Sequence, residues 1–218
     1  MKAGPVIAAI LLLAGTPAGA HRLDEYLQAT LISVEKGRVS AQIRLIPGVA
    51  VFPMVLANID ADGDGIISET EQRDYAERVL RDLSLMVDGN LLQLRLASIE
   101  FPTIEQMKEG LGEIRIEFDA NVPRGGANRR LIFENHHRRR IAAYLVNCLV
   151  PHDPDIRISG QRRDDLQSFY QLDYVQRGVH AGPLSLAWWS GPHGLLAAAT
   201  LLLCGRLALM RRPPANAG

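Results

Sequence analysis

Cysteine is nearly absent. Cys148 and Cys204 are the only two in 218 residues, and Cys204 falls in an apolar stretch near the C-terminal end. Two thiols so placed make no disulfide framework, so the body of the chain must hold together by packing. Net charge is absent too, because 24 Lys and Arg balance 24 Asp and Glu. A chain with no positive excess lacks the electrostatic footprint of a nucleic-acid binder. The signatures of catalysis are also missing. There is no G-x-S-x-G elbow, no H-E-x-x-H, no glycine-rich phosphate loop and no C-x-x-C. Acyl transfer, zinc hydrolysis, phosphoryl transfer and dithiol exchange therefore have no visible carrier, and the sequence predicts a protein that is not an enzyme. Internal repeats and low-complexity stretches are lacking as well.

The long apolar runs that do occur lie at the two ends. Lys2 supplies a positive start, Val6 to Ala14 an apolar run, and Ala18-Gly19-Ala20 small residues for cleavage. This is the pattern of a signal peptide over 1–20, with His21 opening the mature chain. No cysteine follows the small residues, which points away from a lipid-anchored N-terminus. Toward the other end, Leu184 to Gly205 carries no charged residue, enough for one bilayer crossing. Trp188 and Trp189 suit the outer interface, and Arg206, Arg211 and Arg212 the cytoplasmic side. The expected layout is an extracytoplasmic domain over 21–178, a transmembrane anchor over 184–210 and a cytoplasmic tail over 211–218. It places the domain on the periplasmic side of a bacterial cytoplasmic membrane.

The middle alternates with period two. In RVSAQIRL, Val39, Ala41, Ile43 and Leu45 share one face, and in EIRIEF, Ile114, Ile116 and Phe118 do the same. Such alternation fits half-buried antiparallel strands. Turn residues separate the runs at Lys36-Gly37, Asp88-Gly89-Asn90, Arg124-Gly125-Gly126 and Pro151 to Pro154. Strands are predicted at 24–34, 38–46, 84–88, 91–99, 112–120, 129–136, 141–150, 155–160 and 166–175. With no βαβ rhythm, the fold class is a mainly β, antiparallel, immunoglobulin-like β-sandwich. One insert at 50–83 breaks the pattern with helical spacing. Tyr75, Val79, Leu80 and Leu83 form an apolar helix face, and Val51, Val55, Leu56 and Ile59 line a shorter helix that Pro53 constrains at its start.

Between those two helices runs NIDADGDGIISETEQ. Taken as twelve positions from Asp60, it offers Asp60, Asp62 and Asp64 at positions 1, 3 and 5. Gly65 follows for the sharp reversal, Ile66 offers its backbone carbonyl, Ser68 can hold a water, and Glu71 can chelate with two oxygens. Ile67 at position 8 would tuck the loop against a neighbour. Three carboxylates this close repel one another unless a cation sits among them. The loop resembles an EF-hand, and the resemblance implies Ca2+ bound by Asp60, Asp62, Asp64, Ile66, Ser68 and Glu71. Ser68 and Glu71 also spell a capping box, which would start the following helix without any metal. The chain has no second loop of this kind, so the sandwich or a second chain must brace this one. Affinity is expected on the order of 10⁻⁴ to 10⁻³ M in Kd, as in extracellular modules.

Other clusters are thinner. A free α-amino group and imidazole at His21 would chelate nickel or copper, and His136 and His137 could add nitrogen donors. The simpler reading of HHRRR is a solvated strand end. Arginines at 129–130, 138–140 and 162–163 read as an ordinary charged face, interspersed with Glu134, Asp164 and Asp165. Cys148 reads as core packing in AAYLVNCLV. In layout, residues 21–175 resemble the extracytoplasmic portion of bacterial nickel/cobalt permeases of the hydrogenase- and urease-accessory type. This chain offers one candidate span where a permease needs several, so the resemblance implies at most an accessory or sensor beside a transporter. The leading expectation is a membrane-anchored calcium-binding module, structural or presenting a surface to a protein partner. Its rival is an accessory of nickel, cobalt or copper handling.

Overall fold

Alternation along the chain becomes two faces of a sheet. Val39, Ile43 and Leu45 are 0–1% exposed, whereas Ser40 and Gln42 are half-buried and Arg44 is exposed. The computed structural model describes residues 24–178. The expected signal peptide, His21, Cys204, the span at 184–210 and the tail lie outside the described residues. Within them, no helix is long and apolar enough to cross a membrane.

In chain order the strands are β1 (Tyr26–Glu35), β2 (Arg38–Pro47), β3 (Leu83–Val87), β4 (Asn90–Leu91) and β5 (Arg95–Glu100). They continue with β6 (Ile114–Asn121), β7 (Asn128–Asn135), β8 (Ala142–Cys148), β9 (Ile156–Arg163) and β10 (Phe169–Gln176). The helices are α1 (Phe52–Ile59), α2 (Glu69–Arg81) and α3 (Ile104–Lys108). Two five-stranded sheets result, ordered β5-β6-β2-β1-β8 and β4-β3-β7-β10-β9. Side chains from both fill one buried cluster, with Ile43, Ile116 and Phe118 from the first and Leu85, Phe133 and Leu172 from the second. Removing a ring there, as in Phe118→Ala, leaves a cavity costing about 3–5 kcal/mol.

Two expectations need correction. The pairing is not wholly antiparallel, because β1 and β8 run parallel from Tyr26↔Ala142 to Ile32↔Cys148. The chain leaves β7 at the end where β1 begins, turns through 136–141, and so starts β8 beside the start of β1. The strand expected at 91–99 is two pieces. Residues Asn90 and Leu91 close a hairpin on β3, and the chain then crosses to the first sheet as β5, beside β6. The turn before β4 is a two-residue loop in which Asp88 and Gly89 both have positive φ, 52° and 80°, the geometry a tight hairpin favours.

The connections give the sandwich two distinct poles. At one, the β1–β2 turn at Lys36-Gly37 lies against the corner before β9, where Lys36 pairs with Asp155 and Arg177 N donates to Asp155 O. At the other, β2 ends, α1 and α2 lie between β2 and β3, and the β7–β8 turn returns. The acidic loop therefore sits at the pole opposite Arg177, where the described chain ends.

Candidate metal loop and the buried cluster behind it

Helix α1 begins with Pro53 in its first turn, where a missing N–H costs nothing. It buries Phe52, Val55 and Ile59. Helix α2 begins at the N-cap Ser68 and buries Tyr75, Ala76, Val79 and Leu80, so three of the four residues predicted for its apolar face lie on it. The fourth, Leu83, opens β3 and is also buried. Arg78 ties the two helices, donating to Asn58 O at the end of α1.

Between the helices the loop is shaped by its own carboxylates. Asp60 is 9% exposed, and its two oxygens accept from Gly63 N at 2.8 Å and Gly65 N at 3.0 Å. Asp62 Oδ1 accepts from Asp64 N at 3.2 Å, and Asp64 Oδ1 accepts from Ile66 N at 2.7 Å. Gly63 and Gly65 hold φ of 73° and 80°, and a Cβ on either would meet nothing within 4 Å. Backbone conformation, not space, is what requires glycine at both. Ile67 packs against the core, as its place in the pattern predicts, while the Ile66 side chain is 68% exposed.

Glu71 closes the loop. Its Oε1 accepts from Ala61 N at 2.7 Å, and its Oε2 accepts from Ser68 N at 2.9 Å and the Ser68 hydroxyl at 2.8 Å. Ser68 Oγ in turn accepts from Glu71 N, so the capping box is formed. These donors, the Ser68 N–H first, hold the Glu71 carboxyl below its ordinary range. Asp60, Asp62 and Glu71 each place a carboxylate oxygen within 4.8 Å of the others. Asp64 is not in this trio, and Ser68 serves the helix cap. The donor atoms are all oxygen, a hard set suited to calcium or magnesium and poorly suited to copper, nickel or zinc. Each ionised carboxylate has about four lone-pair positions, so the oxygens that hold loop amides keep capacity for another partner.

The structure brings together a second group that the pattern of HHRRR conceals. His136 is exposed beside Glu134, but His137 is 3% exposed. The reading of both as a solvated strand end is corrected for His137, because the β7–β8 turn folds its ring inward against Tyr26 and Tyr75. Its Nδ1 meets Asp82 Oδ2 at 2.8 Å, its Nε2 meets Tyr75 Oη at 3.2 Å, and Tyr75 Oη meets Tyr26 Oη at 2.6 Å. The His137 carbonyl accepts from Gln28 Nε2 and the Tyr144 hydroxyl, and its N–H donates to Asn135 Oδ1. Both ring nitrogens are thus engaged, which leaves neither as a ready ligand for nickel or copper. Burial is the main influence on His137 and lowers its pKa, with Asp82 opposing and Arg138 and Arg78 adding to the decrease. A signal for this cluster was present in the sequence. A tyrosine on a core-facing position needs a partner for its hydroxyl, and both Tyr26 and Tyr75 occupy such positions.

The arginines do not form one solvated face. Arg129 is 6% exposed and bonds Asp88, Arg130 bonds Asp173, and Arg163 donates to Val146 O and Asn147 Oδ1. Arg129 is drawn inward because Asp88 and the Pro123 carbonyl together satisfy its guanidinium. Cys148 packs partly buried against the core, and burial raises its thiol to about 11, which makes it a poor nucleophile. Compared with known proteins, the chain matches no protein-family model and no curated protein.

Proposed function

We propose that this chain is a calcium-binding module of the EF-hand type, carried on an immunoglobulin-like sandwich. The observation that supports the reading most directly is the trio of Asp60, Asp62 and Glu71. Their oxygens lie within 4.8 Å of one another, on a loop already turned by two positive-φ glycines. In this reading Asp60 and Asp62 hold the ion from the entry side, and Asp64 and the Ile66 carbonyl complete the turn around it. Ser68 carries a water, and Glu71 closes from the first turn of α2. Calcium supplies a double positive charge that relieves the repulsion among these carboxylates. Glu71 has two tasks, capping α2 and closing the loop, so binding draws directly on the start of that helix.

The membrane anchor at 184–210 and a periplasmic position belong to the same proposal. They rest on the apolar C-terminal stretch and the expected signal peptide. In the same reading the loop end of the sandwich is the surface offered to a protein partner. Titration calorimetry of the full chain in mild detergent tests the calcium assignment. Saturable 1:1 binding is expected, lost in Asp60→Ala. The absence of binding heat at several millimolar calcium would contradict it.

A further inference from the structure

The Asp82–His137–Tyr75–Tyr26 chain joins the loop's exit helix to the sheet, and its hydrogen bonds run in a fixed order. An ionised Asp82 only accepts, so His137 Nδ1 carries the proton between them. In a neutral ring Nε2 is then the acceptor, taking the Tyr75 O–H, and Tyr75 Oη accepts the Tyr26 O–H. Every proton along the chain has a place. Adding one at Nε2 breaks that order. The ring then donates to Tyr75, the two hydroxyls can place one of their own protons between them, and the other needs an acceptor elsewhere. Tyr26 is 0% exposed, and among the described residues its hydroxyl has one partner, Tyr75.

Tyr75, Arg78 and Asp82 come from α2 and its C-cap, Tyr26 from β1 and Arg138 from the β7–β8 turn, while Tyr144 of β8 holds the His137 carbonyl. Tyr75 lies one helical turn beyond Glu71, so whatever fixes Tyr75 fixes the helix that carries Glu71. We propose that this chain is a proton-operated latch. Neutral His137 holds α2 against the sheet and keeps Glu71 in register with Asp60 and Asp62, and protonated His137 releases α2 and weakens cation capture. The latch rests on the calcium reading for its output but not for its motion. The burial that lowers the pKa of His137 has the matching sign. The folded protein resists the second proton, so the latch is secure above about pH 6.5 and loses stability as pH falls below it.

The test has two arms, both on the full chain in detergent. In the first, without calcium, amide exchange is compared between pH 7.5 and 5.5 after correction for intrinsic rates. The expectation is that α2 loses protection about tenfold more than β6 does. Unchanged relative protection of α2 overturns the latch, whatever calcium does. In the second, calcium affinity is measured at the same two pH values for the natural chain and for His137→Gln. The glutamine amide can donate to Asp82 and accept from Tyr75, but it does not titrate. The natural chain should bind about tenfold more weakly at pH 5.5, and the variant should change by less than about twofold. Equal losses in both overturn the coupling, because the loop carboxylates would then be the titrating groups. If His137→Gln does not fold, the exchange arm on the natural chain still decides. Loosening of α2 together with no calcium binding at pH 7.5 supports the latch and overturns the calcium reading.

Discussion

Two helices in this molecule start with the same device and end up with different surroundings. Helix α2 begins at Ser68 with Glu71 three positions on, and α3 begins at Thr103 with Gln106 three positions on. Both form complete capping boxes, the side chain of each cap accepting from the third residue and that residue reaching back. Glutamine makes the same two cap bonds, so the cap hydrogen bonds do not themselves call for charge at position 71, and the helix dipole favours it only modestly. What α2 has and α3 lacks is the loop before it. Glu71 turns its second oxygen to Ala61 N and sits with Asp60 and Asp62, while Thr103 follows Phe101 and Pro102. The difference separates a helix start from a candidate cation site built on one.

Asp60 has no counterpart before α3, and changing it should do the most damage. Asp60→Ala should abolish calcium binding, and it should also destabilise the calcium-free protein by about 1–3 kcal/mol, since Gly63 N and Gly65 N lose their acceptor. Calorimetry and denaturant unfolding check the two parts. Glu71→Gln makes position 71 resemble Gln106. Calcium affinity should fall at least about tenfold, while calcium-free stability falls less than in Asp60→Ala, because the one amide oxygen keeps the cap and the Ala61 N–H alone loses its acceptor. Ser68→Ala and Thr103→Ala should each cost about 1 kcal/mol in thermal unfolding, and only the first should weaken calcium binding. The smallest effect is in acid. Glu71 has a lowered pKa, so its contribution is present above its ordinary value near pH 4.5 and is lost as pH falls through the lowered one. Gln106 has no such dependence, and amide exchange between pH 5 and 3 should therefore loosen the first turn of α2 before that of α3.

Much of this was legible in the sequence where local rules and tertiary packing agree. Period-two runs such as Val39 to Leu45 became strands because one face met the core, and the Tyr75, Val79, Leu80 spacing became the buried side of α2. The closeness of Asp60, Asp62 and Glu71 was readable because it follows from their spacing along one loop. The remainder depended on contacts between distant segments. Helix α3 is five residues long, and its Thr103-x-x-Gln106 cap was its one local signal. The switch of sheets after Leu91 cannot be read from alternation, because Leu92, Leu94 and Leu96 keep their spacing across it. The parallel pairing of β1 with β8 depends on which pole each strand starts from. His137 looked solvated because its neighbours are arginines, and only the return of the β7–β8 turn onto Tyr26 and Tyr75 buries it. Arg129 looked exposed for the same reason, until Asp88 is brought beside it from 41 residues away.

Glu71 is proposed to close a cation site as well as to cap a helix. The most direct measurement is the calcium-induced melting shift of the natural chain set against that of Glu71→Gln. With a Kd of about 0.1 mM, 1 mM calcium stabilises the native state by about 1.4 kcal/mol, a shift of a few degrees. That shift is expected in the natural chain and should nearly disappear in the variant, each read against its own calcium-free melting point. Equal shifts in both, or none in either, would show that the glutamate is only a cap.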